Sequence, residues 1–523
     1  MTVNGEMFIG GAAVKGTDGV ITAIDPGTGL ALAPNFGGAT KGDLDRACRL
    51  ADEAFDVFRE TEPQIRAALL ESIARNVEAL REPLMERVLA ETGLPRMRLE
   101  GEFVRTVRQL RMFAEIVRKG DYVGARVDPA QPDRQPPRVD LRSRNIPVGP
   151  VAIFGASNFP LAFSVAGGDT ASALAAGAPV IAKAHPAHPG TSEMIGRAIR
   201  DAVAENGLHP GIFSLLYDSG FDIGGALVAD HRVKSVAFTG SRRGGMALLE
   251  IARMRPEPIP VFAEMSSINP VILFPSALGE RAEAIAEAFV ASLTLAGGQL
   301  CTNAGLVLAV ESEALDVFLN AAARCLEPTA AATMLTAGIH EAYEVGVRNL
   351  AAHPGVETLA RGLQGHFNQG SAGLFSTTPE EFLNSRELQG EIFGAAALFV
   401  LCPDERSLRE VIEQLEGQLA MSMHLAKDDH VAAARILPLL ERKAGRIVVN
   451  GFATGVEVGY AIVHGGPFPA TSDVRSTSVG ALAINRFLRP ICYQDMSNDL
   501  LPPALRQENP LKVRRLVDGA FPT

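Results

Sequence analysis

Two hydrophobic periods take turns along the chain. From 43 to 59 the apolar residues Leu44, Ala47, Leu50, Ala51 and Phe55 recur every three or four positions, and 64–91 repeats the stripe. That spacing predicts two amphipathic helices. From 149 to 264 the pattern changes to short apolar runs at 151–154, 180–182, 212–216, 236–238 and 259–262. Each is long enough for a buried strand. Helical stretches at 167–176, 191–205 and 224–229 lie between them. Such alternation predicts a doubly wound parallel sheet, which binds ligands at the carboxyl ends of its strands. After Asn269 the alternation restarts, with predicted strands at 271–274, 306–309, 396–401 and 446–449 and helices at 280–296 and 428–441. A second α/β domain follows from this. The stretch 123–144 is rich in Pro, Arg and Asp and reads as an excursion from the compact body. The tail, 487–523, is rich in Pro, Arg and Leu.

Composition narrows the classes. With 523 residues, 47% hydrophobic and 21% charged, the chain is of soluble globular type and long enough for about three domains. A formal net charge of -11 argues against nucleic acid or an anionic membrane as partner. The five cysteines, Cys48, Cys301, Cys325, Cys402 and Cys492, are odd in number and show no CxxC spacing. They suggest neither a disulfide framework nor a zinc site. The N-terminus lacks a basic-then-apolar signal pattern, and no apolar run reaches membrane-spanning length. The expectation is a reduced, cytoplasmic protein.

Four separated segments carry candidate chemistry. Cys301 lies in Ala296-Gly297-Gly298-Gln299-Leu300-Cys301-Thr302-Asn303, where the glycines let backbone approach a ligand. Asn158 lies in Gly155-Ala156-Ser157-Asn158-Phe159-Pro160, directly after a predicted strand. Glu264 follows the run 259–262. Glu391 and Phe393 lie in Gly390-Glu391-Ile392-Phe393-Gly394. In this order the segments resemble the aldehyde dehydrogenase superfamily, from about 21 to about 490. The resemblance implies two doubly wound, Rossmann-like α/β domains plus a small β oligomerisation arm. Residues 1–124 and 146–265 would form the cofactor-binding domain and 266–465 the catalytic domain. The arm and tail, 125–145 and 480–523, would join subunits into a homodimer or homotetramer.

The implied chemistry is oxidation of an aldehyde to an acid. A thiolate is a strong nucleophile towards carbonyl carbon. Cys301 matches the family nucleophile, forming a thiohemiacetal and then, after hydride loss, a thioester. Asn158 matches the oxyanion donor, which stabilises charge without taking a proton. Glu264 matches the general base for thioester hydrolysis. The family usually continues Glu-Leu-Gly-Gly-Lys-Asn-Pro. Here the chain reads Glu264-Met265-Ser266-Ser267-Ile268-Asn269-Pro270, which loses the glycine pair and the lysine.

No GxGxxG fingerprint is present, so the usual dinucleotide argument fails. Phe238-Thr239-Gly240-Ser241-Arg242-Arg243-Gly244-Gly245 instead matches the family's pyrophosphate segment, with Gly240, Ser241 and Gly245 at a predicted helix start. Phe154 ends the first predicted strand beside it. Lys183 matches the residue that contacts the adenosine ribose. Three residues later NAD-preferring members tend to carry glutamate, whereas this chain has Pro186. A 2′-phosphate meets no carboxylate there, and Lys183 and His185 can pair with it. NADP is therefore favoured, with NAD also usable. Glu391 and Phe393 match the residues that hold the nicotinamide ribose and ring. His185 and His188 have no evident third partner, so no metal is expected.

Phe154–Pro160, Lys183–Pro189, Cys301–Asn303 and His464-Gly465-Gly466-Pro467-Phe468-Pro469-Ala470-Thr471 look most like the α-ketoglutaric semialdehyde (2,5-dioxovalerate) dehydrogenases, whose product is 2-oxoglutarate. Such an anionic aldehyde calls for a distant arginine. Arg105, Arg108 and Arg111, spaced by three on a predicted helix, are the candidates, with Phe159, Phe163 and Phe468 as apolar walls. Long-chain (fatty) aldehydes or another semialdehyde are the alternative substrates, again with NADP. A silent binding protein on the same fold would lack Cys301, Asn158 or Glu264. A thiol hydrolase would want a histidine base, and only His464, in a glycine-rich loop, is near any of these segments in sequence.

Overall fold

The computed structural model describes residues 2–521. Two seven-stranded sheets organise the chain. The first is ordered Val261–Glu264, Ser235–Thr239, Val151–Phe154, Val180–Lys183, Phe213–Leu216, Met7–Ile9, Ala12–Val14. Its first five strands are parallel and almost wholly buried, as expected for a sheet covered on both faces. Their register aligns Phe154 with Lys183 and with Phe238, and Thr239 with Glu264. The candidates Phe154, Lys183 and Glu264 thus emerge along one edge, at the strands' carboxyl ends.

The second sheet is ordered Val356–Arg361, Gly373–Thr377, Ala396–Cys402, Leu306–Val310, Val271–Leu273, Gln418–His424, Ala444–Val449. It is parallel except for the pair Val356–Arg361 and Gly373–Thr377. Buried apolar clusters cover it on both sides. A four-stranded sheet joins excursion to tail, in the order Leu488–Gln494, Leu141–Pro147, Arg126–Asp128, Leu516–Val517. The last two residues of the predicted tail lie outside the described region.

The first predicted helix forms at Lys41–Phe58. Thr40 caps it, accepting from the Asp43 N–H (3.2 Å) while Asp43 accepts from the Thr40 N–H (2.9 Å), and Leu44, Ala47 and Ala51 are buried. The stripe at 64–91 breaks at Leu80 into helices Pro63–Ala79 and Arg81–Thr92. Pro83, in the first turn of the second helix, marks that break, which the apolar stripe alone does not show. The run at 259–262 gives a strand only from Val261 to Glu264. The helix expected at 280–296 begins earlier, at Pro275, and bends at Arg281. Four N-terminal strands, Met7–Ile9, Ala12–Val14, Val20–Ile24 and Ala31–Gly37, were not anticipated; they form hairpin pairs too short to show a period.

Candidate active site

Glu264 ends its strand, and the segment 464–472 returns beside it. The Met265 N–H donates to Ala470 O (2.8 Å) and the Ala263 N–H to Ser472 Oγ (2.8 Å). This pairing brings His464 Nε2 to 2.9 Å from Glu264 Oε1, while Ser478 Oγ donates to Oε2 at 2.6 Å. Both His464 and Glu264 are buried. Cys301 arrives from the second sheet's side. Ala296, Gly297 and Gly298 take φ of 54°, 66° and 70°, a left-handed run that reverses the chain. A Cβ on Gly298 would sit 2.3 Å from the Gly394 and Ala395 backbone, so only glycine fits there. The turn presents Cys301 with Sγ 3.5 Å from His464 Nε2. Donor atoms of Cys301, His464 and Glu264 all lie within 4.8 Å of one another.

The Asn269-Pro270 remnant of the family pattern has a positioning role. Asn269 Nδ2 donates to both Cys301 O and Asn303 O at 2.9 Å. Gln418 Oε1 in turn accepts from Ser267 Oγ (3.0 Å) and from the Ile268 (2.9 Å) and Asn269 (3.1 Å) N–H groups. The loop carrying Asn158 is organised by Glu102, on helix Arg96–Lys119. Glu102 Oε1 accepts from the Leu161 (2.8 Å) and Ala162 (2.9 Å) N–H groups, and Oε2 pairs with Arg98 (2.9 Å), which also donates to the Asn158 carbonyl. Asn158 Nδ2 spends one hydrogen on Gln299 O (3.1 Å). Its second hydrogen and the Cys301 N–H have no acceptor among the described residues. Two unspent donors therefore accompany the thiol.

Electrostatics separate the two titratable partners. Burial drives the Cys301 thiol well above its ordinary value, and the neighbouring Glu264 charge adds to this, with Arg105 acting the other way. Burial also pushes against ionisation of Glu264, but the His464 imidazole and hydrogen bonds from His464, Ser478 and Cys301 outweigh it and hold that carboxyl below its usual range. The site is thus an ionised carboxylate beside a protonated thiol, with His464 touching both. The sequence offered little sign of His464 or Ser478. A lone histidine before two glycines has no period, and its partners are 163 and 200 positions away.

The residues assigned to a dinucleotide line the same edge. Ser241 caps helix Arg242–Arg253, accepting from the Gly244 N–H (3.2 Å), and the Arg242 and Arg243 N–H groups have no protein acceptor among the described residues. Gly245 lets that helix lie close, since a Cβ there would meet Met265 Sδ at 2.6 Å. Thr239 Oγ1 is buried with no partner. Burial lowers the Lys183 ammonium, which lies 5.9 Å over the Phe154 ring. His185 stacks on His188 (5.3 Å), and Pro186 is exposed. Glu391 and Phe393 border a cavity of about 200 Å³ with Ser267, Leu300 and Asn303. An orphaned hydroxyl, open helical N–H groups and an unpaired lysine fit a pyrophosphate-linked dinucleotide.

On the substrate side the structure separates the three arginines. Arg105 lies over Phe163 (5.2 Å) and Phe159 (5.8 Å), with its Nε and one terminal nitrogen buried and unpartnered. Arg108 and Arg111 are exposed and line a groove with Glu78 and Phe103, where Arg111 pairs with Glu78 at 2.5 Å. Phe159 and Phe163 stack edge to face, and Phe163 faces His464. Val456, Val458 and Ile462, not singled out from sequence, complete this apolar wall. Phe468 stands elsewhere, 48% exposed beneath Arg242.

Comparison with known proteins agrees with this geometry. The family described as "Aldehyde dehydrogenase family" matches residues 13–466. Alpha-ketoglutaric semialdehyde dehydrogenase 2 of Azospirillum brasilense is 55% identical over 522 residues, covering 99% of both chains. Alpha-ketoglutaric semialdehyde dehydrogenase of Acinetobacter baylyi is 45% identical over 521 residues, again 99% of both. Among solved structures, a 1-pyrroline-5-carboxylate dehydrogenase of Thermus thermophilus superposes with TM-score 0.81 at 20% identity, over 94% of this chain and 92% of that one. AldC of Pseudomonas syringae superposes at 0.80 and 19%, over 94% and 96%. No helix among the described residues is long and apolar enough to cross a membrane. The thiol with its acid–base partners, the open phosphate edge and a match across most of the length lead to one assignment: the chain belongs to the aldehyde dehydrogenase family.

Proposed function

We propose that this enzyme oxidises α-ketoglutaric semialdehyde to 2-oxoglutarate, with NADP+ favoured over NAD+. The observation that carries the chemistry is Cys301 Sγ at 3.5 Å from a histidine that is itself 2.9 Å from Glu264. The two full-length relatives named for this substrate support its identity. The cofactor preference rests on Lys183, His185 and Pro186, which leave the ribose end without a carboxylate three residues after the lysine. The first sheet's unit would hold the dinucleotide and the second the thiol. Five free cysteines suit a reducing cytoplasm, and the four-stranded arm would join subunits into a dimer or tetramer.

Each step has a residue. The Cys301 proton passes to the Glu264–His464 pair, and the thiolate adds to the aldehyde carbon. The oxygen of the resulting thiohemiacetal is met by Asn158 Nδ2 and the Cys301 N–H. A bound nicotinamide supplies the acceptor for the hydride that this carbon loses. Lys183, the 241–245 helix start, Glu391 and Phe393 would hold that cofactor. Water then attacks the thioester, Glu264 takes its proton, and Cys301 departs as the carboxylate forms.

Initial rates of NADPH or NADH formation on α-ketoglutaric semialdehyde, succinic semialdehyde and a long-chain aldehyde test the reading. The highest kcat/KM is expected for α-ketoglutaric semialdehyde with NADP+. A lead for the long-chain aldehyde would overturn the substrate, and silence on all three would overturn the activity.

A further inference from the structure

Two guanidinium groups stand in the neighbourhood of the thiol with no carboxylate paired to either among the described residues. Arg105 spends neither its Nε nor its buried terminal nitrogen on any acceptor. The nearest buried acid on its own helix, Glu102, is already committed to Arg98 and to two backbone N–H groups. Arg446, on the edge strand Ala444–Val449, donates to Gly455 O (2.7 Å) and to Ala453 O, and its buried Nε has no partner. Carbonyl oxygens satisfy hydrogens but do not neutralise a charge. Arg105 lies over Phe163, and Phe163 packs with Val456 and Val458 of the loop that Arg446 holds, so the two guanidinium groups border one apolar wall. The other acids facing Arg105 are Glu264, engaged with His464 and Ser478, and Glu457, exposed on the loop that Arg446 ties down. Two partly buried like charges without a counterion make a site for an anion.

We propose that Arg105 and Arg446 form a two-guanidinium subsite for the 2-oxo-carboxylate end of the aldehyde. The inference rests on the substrate proposed above. A five-carbon chain spans about 5 Å from aldehyde to carboxylate carbon, so one end can reach Cys301 while the other lies between the arginines. The carboxylate and the adjacent ketone together offer three acceptor oxygens to the free N–H groups. The 453–458 loop, which supplies Val456 and Val458 to the apolar wall, is fixed by Arg446 itself. That contact couples the shape of the tunnel to the charge that reads the substrate.

The test compares Arg446→Met, Arg446→Lys and Arg105→Met with the parent on α-ketoglutaric semialdehyde, succinic semialdehyde and uncharged pentanal, with NADPH binding measured alongside. Each Met variant is expected to lose about 10- to 100-fold in kcat/KM on α-ketoglutaric semialdehyde, mainly through KM. NADPH binding should stay near parental, and the loss on pentanal, which has no carboxylate to read, should be clearly smaller than the loss on α-ketoglutaric semialdehyde. Arg446→Lys keeps a donor for the Ala453 and Gly455 carbonyls, so it should fold normally yet lose selectivity for the 2-oxo acid over succinic semialdehyde. An equal loss on pentanal in the folded Arg446→Lys enzyme would reduce Arg446 to a loop anchor and overturn the subsite. So would parental selectivity in either Arg446 variant. A parent enzyme that prefers pentanal would instead overturn the substrate reading.

Discussion

His464 Nε2 lies within reach of both the sulfur and the carboxylate, so replacing it separates proton handling from binding. His464→Asn is expected to lower kcat about 100-fold while leaving NADPH affinity unchanged. Its rate should also rise at higher pH than the parent's. The buried thiol is already held up by desolvation and by Glu264, and without the imidazole its proton has one acceptor fewer. A pH–rate profile of the variant checks this, with Cys301→Ala as the inactive control. Cys301, Asn158 and Glu264 could be proposed from the sequence because each sits in a short motif at a strand end or turn, and the structure brings the three segments together. His464 could not be, because its meaning comes from the return of 464–472 along the Val261–Glu264 strand.

Elements were legible where a period ran long enough, and misleading where it was extrapolated. Arg105, Arg108 and Arg111 seemed to share a face, but each three-residue step falls 60° short of a full turn. Over two steps that drift reaches about 120°, which turns Arg111 out to Glu78 while Arg105 points inward over Phe163. The Gly390–Gly394 segment shows the opposite case, a run with no period of its own that holds a perturbed acid. Burial lifts Glu391 to about 8, against hydrogen bonds from Ser266 and Ser267. Its folded value exceeds its unfolded value, so the folded state keeps this proton longer. The stability it contributes is complete below about 4.5 and is lost as pH rises through about 8. Cofactor-free Glu391→Gln should therefore gain on the parent by up to about 1 kcal/mol per pH unit across that window. Thermal melts of both proteins between about pH 5 and about pH 9 measure it.

At the scale of the molecule, the arm depends on the tail. Leu488–Gln494 pairs with Leu141–Pro147 on one side and has no strand on its other edge among the described residues, with Cys492 exposed near its middle. Such an edge invites a strand from another copy, and lysine is a common guard against it. Cys492→Lys is expected to shift the protein to a smaller assembly without lowering its melting temperature, as light scattering behind a sizing column would reveal. The two α/β units were visible in the alternation of runs and helices, whereas this pairing across more than 340 positions was not. The depth at which Cys301 sits has one more consequence. Peroxide and alkylating agents attack thiolates, and the raised pKa of this half-buried sulfur favours the thiol in the ligand-free enzyme. Oxidation of the ligand-free protein is therefore expected to be slow, and to quicken whenever the sulfur carries charge.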